Sequence, residues 1–176
     1  MERICDAVFE GGGLRGIGLV GAARRVFFAG GLASGSLAAY AAHMFNRLRG
    51  DSRVIGYGDS AAEVLDLTGD DVLVVFCFPP YATQTLHLLE AARRQGVPIL
   101  GITDSPISPM GKVDVSLTTR VSGIGPQNSL VAPMAIINVL LNGVAANSPG
   151  AADRYRRLYG LLDDWNSFFL KGSADG

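Results

Sequence analysis

Few side chains in this 176-residue sequence are equipped for chemistry, and most gather at a handful of turns. The first turn is Gly30-Gly31-Leu32-Ala33-Ser34-Gly35-Ser36. A glycine-rich turn feeding a helix presents backbone N–H groups, the positive end of the helix dipole and here two hydroxyls, all suited to a phosphate or similar anion. Taken alone, Ser34 reads equally well as a helix N-cap. The second turn is Cys77-Phe78-Pro79-Pro80-Tyr81-Ala82-Thr83-Gln84-Thr85, in which Thr83 is expected to cap the next helix. The third is Thr103-Asp104-Ser105-Pro106-Ile107-Ser108-Pro109, and the fourth, 122–128, is Gly-rich and expected to be mobile. Acid–base groups are scarce. His43 shares a helix side with Ser36, Ala39 and Asn46, and His87 with Thr83, Glu90 and Arg94, so both should face solvent or an interface. Nothing pairs an acid with a base as proton transfer beside a carbonyl requires, so no catalytic residue is expected. Cys77 lies in an uncharged apolar run that gives its thiol no reason to ionise. Two cysteines and two histidines are too few for a structural zinc, and neither metal nor cofactor is expected.

These turns need a scaffold, and the flanking patterns supply one. Arg25–Ala29, Arg53–Gly56, Asp71–Phe76, Val97–Ile102 and Val113–Thr118 are short, β-branched or aromatic, and bounded by Gly, Asp or Pro. Two are almost wholly apolar, as strands of a parallel sheet covered on both faces must be. Between them run helical patterns at Ser34–Arg49, Ser60–Leu67 and Thr83–Gln95, and two more close the chain at Ser129–Ala146 and Asp153–Leu170. The last carries Tyr155, Leu158, Tyr159, Leu162, Trp165 and Phe169 as one amphipathic stripe. Strands alternating with helices imply right-handed crossovers and a doubly wound α/β sheet, whose ligands bind beyond the strand carboxyl ends where the four turns lie.

The N-terminal Gly11-Gly12-Gly13-Leu14-Arg15-Gly16 matches the dinucleotide fingerprint G-x-G-x-x-G, and it also resembles the oxyanion loop of patatin-like lipases. Both need a strand before the glycines, yet Met1, Ile4, Cys5, Val8 and Phe9 are spaced as in a helix. The dinucleotide site lacks its acidic residue about 20 positions on. The lipase lacks its G-x-S-x-G elbow: Gly58-Asp59-Ser60-Ala61-Ala62 has lost the final Gly. The reading preferred here is a helix over 1–9, a glycine C-cap, and a short second helix leading into the first strand.

The segment Gly69-Asp70-Asp71-Val72-Leu73-Val74-Val75-Phe76, followed by CFPPYATQT and EAARRQGVPILGITDSPISP, is similar to the sugar isomerase (SIS) domain as found in bacterial RpiR-family transcription regulators. The resemblance runs from Arg24 to about Phe169, and GITDSPISP is its most specific part. It implies a three-layer α/β/α sandwich around a five-stranded parallel sheet, flavodoxin-like in winding, that usually dimerises. It also implies a phosphosugar site formed by a first-loop Ser and an S-x-S-G-x-T loop. Ser34 stands at the first-loop Ser, with Leu32 in place of a frequent Gly. Cys77, Pro79 and Ala82 replace the two Ser and the Thr, and Thr85 persists. Phe78, Pro79 and Tyr81 match a variant seen in regulators, which favours sensing over isomerisation. Ligand contacts are accordingly expected from Gly30, Gly31, Ala33, Ser34, Ser36, Cys77, Tyr81, Thr83, Thr85, Thr103 and Asp104. The implied role is a non-catalytic effector and dimerisation domain binding a phosphosugar or related carbohydrate derivative. A sugar-phosphate (aldose–ketose) isomerase with an atypical phosphate loop is the alternative, and a patatin-like hydrolase or dinucleotide-binding protein a remote third.

Composition sets the outer bounds. Fifteen Lys and Arg against sixteen Asp and Glu leave a formal charge of −1, without the concentrated basic face that nucleic-acid binding needs. Residues 1–23, expected as a helical lead-in to a domain over 24–171 with a frayed 172–176 tail, are too short and Gly-rich for a helix-turn-helix. With 48% hydrophobic and 18% charged residues, disorder is excluded and a large core is available. The apolar 129–146 run is broken by Pro133, Asn138 and Asn142 and reads as a buried core helix, not a membrane span. No signal peptide is apparent, so a cytoplasmic protein without membrane contact is expected, and the resemblance together with the apolar Ser129–Ala146 and Tyr155–Phe169 helices implies a homodimer.

Overall fold

In the computed structural model, which describes residues 12–56, 58, 60–123 and 125–167, five parallel strands form one sheet. They are β1 (Val26–Gly30), β2 (Ser52–Val54), β3 (Val72–Cys77), β4 (Ile99–Thr103) and β5 (Val115–Thr118), in the spatial order β2-β1-β3-β4-β5. The helices are α1 (Gly12–Ala22), α2 (Ser34–Leu48), α3 (Ser60–Leu65), α4 (Thr83–Arg94), α5 (Val131–Ala146) and α6 (Ala151–Asp164). Each strand and helix from β1 to α6 falls within about three residues of its sequence-based position where the residues are described, because the apolar periods of 2 and 3.6 are local signals. The expected helix over 1–9, Phe169 and the 172–176 tail lie outside the described residues.

The three central strands are buried on both sides, while Arg53 and Val54 of β2 and Ser116 and Thr118 of β5 are exposed. Phe28, Val74, Phe76, Leu100 and Ile102 point into a core roofed by α1, α2 and α5. Phe27, Ala29, Leu73, Val75 and Ile99 point the other way, toward α3 and α4. The apolar 129–146 segment is accounted for inside the first core, where Ile136, Ile137, Leu140, Leu141 and Val144 of α5 are buried. Among the described residues no single helix is long and apolar enough to cross a membrane.

The expected short second helix leading into the first strand is α1, which opens on Gly12 and Gly13 and runs on through Gly16 to Ala22, while the expected helix over 1–9 lies outside the described residues. The glycines serve close packing. A Cβ at Gly12 would lie 2.9 Å from Leu117 and one at Gly16 3.3 Å from Leu140. On the facing helix, a Cβ at Gly143 would collide with Ile17 at 2.3 Å. Absent side chains let α1 lie directly on β5 and α5. Arg49, which donates to the carbonyls of Val20 and Ala23 and pairs with Asp51 at 2.7 Å, fastens the last turn of α1 to the end of α2.

At the opposite edge from the turns, one carboxylate ties β1 to β3. Asp71 is wholly inaccessible. It accepts two hydrogen bonds from Arg25 at 3.0 and 2.8 Å, one from Arg24 at 3.1 Å, and others from the Thr68 N–H and hydroxyl at 3.0 and 3.1 Å. Burial alone disfavours the carboxylate, but the Arg25 guanidinium and the Thr68 donors outweigh it and hold the group down at about 2. Because the folded value lies below the ordinary 3.8, the stabilisation is present above that pH and lost as pH falls through about 2. Its size is about 2 kcal/mol. Acid denaturation should therefore show a loss of that size between about pH 4 and 2 that Asp71→Asn lacks. The same substitution takes the buried carboxylate from Arg25 and Arg24, which keep only the Asp66 carbonyl and the Thr68 hydroxyl, and should lower stability at neutral pH by on the order of 2 kcal/mol in urea unfolding.

Candidate functional site

Strand order fixes where a ligand can enter. From β1 the chain crosses one way to β2 and then back past β1 to β3, so the turns after β1 and β3 diverge and leave a crevice between them. A cleft of about 460 Å³ occupies that position. Gly31, Leu32, Ala33 and Ser34 line one wall, and Phe78, Pro79 and Pro80 line the other. Pro126, Gln127, Asn128 and Leu130, from the segment between β5 and α5, close it. Asn128 donates to the Pro79 carbonyl, and the Ser129 N–H to Val121 O at 2.7 Å.

The first turn is held tightly against the sheet. A Cβ at Gly30 would lie 2.5 Å from the Ser34 carbonyl, so only glycine lets α2 begin so close to the end of β1. Leu32 sits at φ +52, the left-handed region that favours glycine, and its side chain is exposed. The N-cap of α2 is Ala33, without a side-chain bond, and Ser34 is already the first helical residue. The N-cap reading of Ser34 is therefore displaced by one position. The N–H groups of Ser34, Gly35 and Ser36 return to the carbonyls of Gly31, Leu32 and Ala33. Those of Leu32 and Ala33 have no partner among the described residues. None of the residues lining the cleft is charged. An anion placed there lies beside the residues whose N–H groups are unclaimed, Leu32 and Ala33, with Ser34 and Gln127 in the lining and the positive end of a 15-residue helix next to it.

The residues expected to contact ligand thus divide. Gly31, Ala33 and Ser34 line the cleft. Gly30 and Thr85 face a separate narrow gap with Ile55, Gly56 and Ser60. Ser36 is exposed and donates to Ala33 O at 2.7 Å. Thr83 is exposed as the first residue of α4, whose N-cap is Ala82 and not Thr83. Cys77 is buried on the α4 side, and burial, helped by the nearby Asp104 charge, pushes its thiol up to about 11, which keeps it unreactive.

Tyr81, Thr103 and Asp104 form a network of their own at the ends of β3 and β4. The Tyr81 hydroxyl donates to Asp104 at 2.8 Å, while the buried Thr103 hydroxyl lies 2.8 Å from the Cys77 carbonyl and 3.2 Å from Asp104. These bonds fasten the Phe78–Ala82 turn to the neighbouring strand and so hold one wall of the cleft. Leu32, Phe78, Pro79, Pro80, Pro126, Gln127, Asn128 and Leu130 were not assigned to the site from sequence. Glycines, prolines and apolar residues carry no chemical signal, and only the strand order brings their turns together.

A family model for the SIS domain matches residues 19–143. No curated protein matches the sequence. Among solved structures, the chain is similar to the sugar isomerase domain of an RpiR transcription factor from Sphaerobacter thermophilus, with a TM-score of 0.82 and 23% identity over 93% of this chain and 92% of that one. It also resembles Vibrio vulnificus NanR complexed with ManNAc-6P, with a TM-score of 0.73 and 17% identity over 86% of this chain and 60% of that one. An Escherichia coli CFT073 protein in complex with a sugar phosphate superposes with a TM-score of 0.71 and 16% identity over 92% and 90% of the two chains. At these identities the likeness is one of fold.

The network makes a spectroscopic prediction. Burial, reinforced by Asp104, pushes the Tyr81 hydroxyl up to about 12. In an ultraviolet titration, Tyr81→Phe should remove a late ionisation step, and Asp104→Asn should move that step toward the ordinary tyrosine value near 10.

Proposed function

The chain belongs to the SIS domain family, and on that premise we propose that it binds a phosphosugar or related carbohydrate derivative without transforming it, as the effector and dimerisation domain of an RpiR-type transcription regulator. The observation that carries the reading is the cleft at the β1–β3 switch point, with free N–H groups at Leu32 and Ala33 beside the start of α2. The ligands of two structural neighbours, ManNAc-6P in one and another sugar phosphate in the other, support the ligand class. The uncharged lining supports the absence of turnover, since isomerisation needs a base within hydrogen-bond reach of the carbon acid. The same reading sets the domain in the cytoplasm as a homodimer that does not itself touch nucleic acid.

A panel of hexose, pentose and amino-sugar phosphates tests this directly, with neutral sugars and inorganic phosphate as controls. At about 100 times the dissociation constant a cognate ligand adds about 2.7 kcal/mol, equivalent to roughly 5–10 °C in melting temperature for a chain of this size. Ser34→Tyr should abolish the shift. Ala33→Trp, which replaces an exposed side chain on the same wall, should do so without disturbing the core. A panel without any shift overturns the ligand reading. Interconversion of aldose and ketose phosphates by the wild type overturns the non-catalytic one.

A further inference from the structure

Leu32 is unfavourably placed on two counts. Its φ of +52 lies in the left-handed region, which among the described non-glycine residues it shares only with Asn166 at +50. Asparagine tolerates that region because its short amide can bond locally, whereas a leucine strains the backbone there. The side chain recovers nothing within the chain, since it is 67% exposed and packs in neither core. Glycine would make the same turn without strain and would leave the same backbone N–H groups unclaimed. Of the exposed large apolar side chains among the described residues, Leu32 alone lines the cleft.

The wall across the cleft is apolar as well. Pro79 and Pro80 have no N–H to donate, and Asn128 already occupies the Pro79 carbonyl. Phe78 is buried in the first core, Pro79 is half-buried and Pro80 is exposed, so the surface they offer is mostly carbon. Leu130, half-buried against the same core, continues it.

The cleft is therefore divided between two kinds of surface. The polar part is the start of α2, with the unclaimed N–H groups of Leu32 and Ala33 and with Ser34 in the lining. The apolar part is the Leu32 side chain and the proline wall. A sugar phosphate hydroxylated all round would set some of its hydroxyls against carbon without partners, which weakens binding. A hydrocarbon group in the same place strengthens it by about fourfold for each methylene withdrawn from water. We propose that Leu32 is a specificity-determining residue and that the cleft selects an anionic carbohydrate derivative carrying an apolar alkyl or acyl substituent, held between Leu32 and the Pro79–Pro80 wall. This rests on the ligand reading of the preceding section and names which members of that ligand class are taken.

Titration calorimetry on the whole chain tests it, comparing glucose, mannose and galactose 6-phosphates with their methyl and butyl glycosides. For the sugar that binds, the butyl glycoside should bind the wild type on the order of tenfold or more tightly than the parent, with the methyl glycoside between them. Leu32→Gly and Leu32→Asn should each shrink that ratio to within about threefold, because both remove the apolar side chain. Both residues accept the left-handed backbone, so neither variant should melt below the wild type. A lower melting temperature in both would make Leu32 a structural residue and overturn its assignment to the ligand. A preference for the butyl glycoside that survives both substitutions overturns that assignment too. Equal affinity for parent and butyl glycoside overturns the apolar substituent and leaves the phosphosugar reading standing. A series in which nothing binds overturns both.

Discussion

A parallel sheet covered on both faces confines chemistry to its rims, and most of this molecule follows from that constraint. In the three central strands the backbone groups pair within the ladder, and both sets of alternating side chains enter the two cores. Polar groups can then work only where strands end. At one rim the Asp71 carboxylate gathers Arg24, Arg25 and Thr68 and holds β1 beside β3. At the other, the same two strands release their turns in diverging directions and leave the cleft. The clip and the cleft are thus opposite ends of one strand pair.

The cleft itself is built from backbone more than from side chains. Its walls are glycine, proline and small or apolar residues, held by bonds that mostly lie outside it: Tyr81 on Asp104, Thr103 on the Cys77 carbonyl, Asn128 on the Pro79 carbonyl. Such a site offers oriented N–H groups and a helix dipole, which attract an anion without supplying a proton donor or acceptor. Leu32 in the left-handed region belongs to the same design, because the turn it makes is what leaves two N–H groups unclaimed.

The two C-terminal helices show how similar sequence signals end differently. Both are long and carry apolar residues at helical spacing. Residues of α5 go into the first core, whereas α6 lies outside α2 and keeps Leu161 and Trp165 in solvent. Hydropathy distinguishes apolar from polar. It does not distinguish a face covered by the rest of the chain from one left in solvent.

Much of the fold was legible in the sequence. The five strands, the helices between them and the parallel winding follow from β-branched runs alternating with amphipathic ones, and the GITDSPISP segment carries the resemblance to the SIS domain. Those are short-range properties, set by the period of side chains along a strand or a helix. Of the residues expected to contact ligand, Gly31, Ala33 and Ser34 line the candidate cleft, and Tyr81, Thr103 and Asp104 lie in a network beside it. The glycines at 12–16, which match two known motifs, proved to be contact points for α1 on β5 and α5. Which turns face one another, which glycine is empty for a neighbour's sake and which apolar stripe stays bare depend on strand order and helix placement. Those are set by contacts between residues far apart in the chain, and so only the tertiary structure decided them.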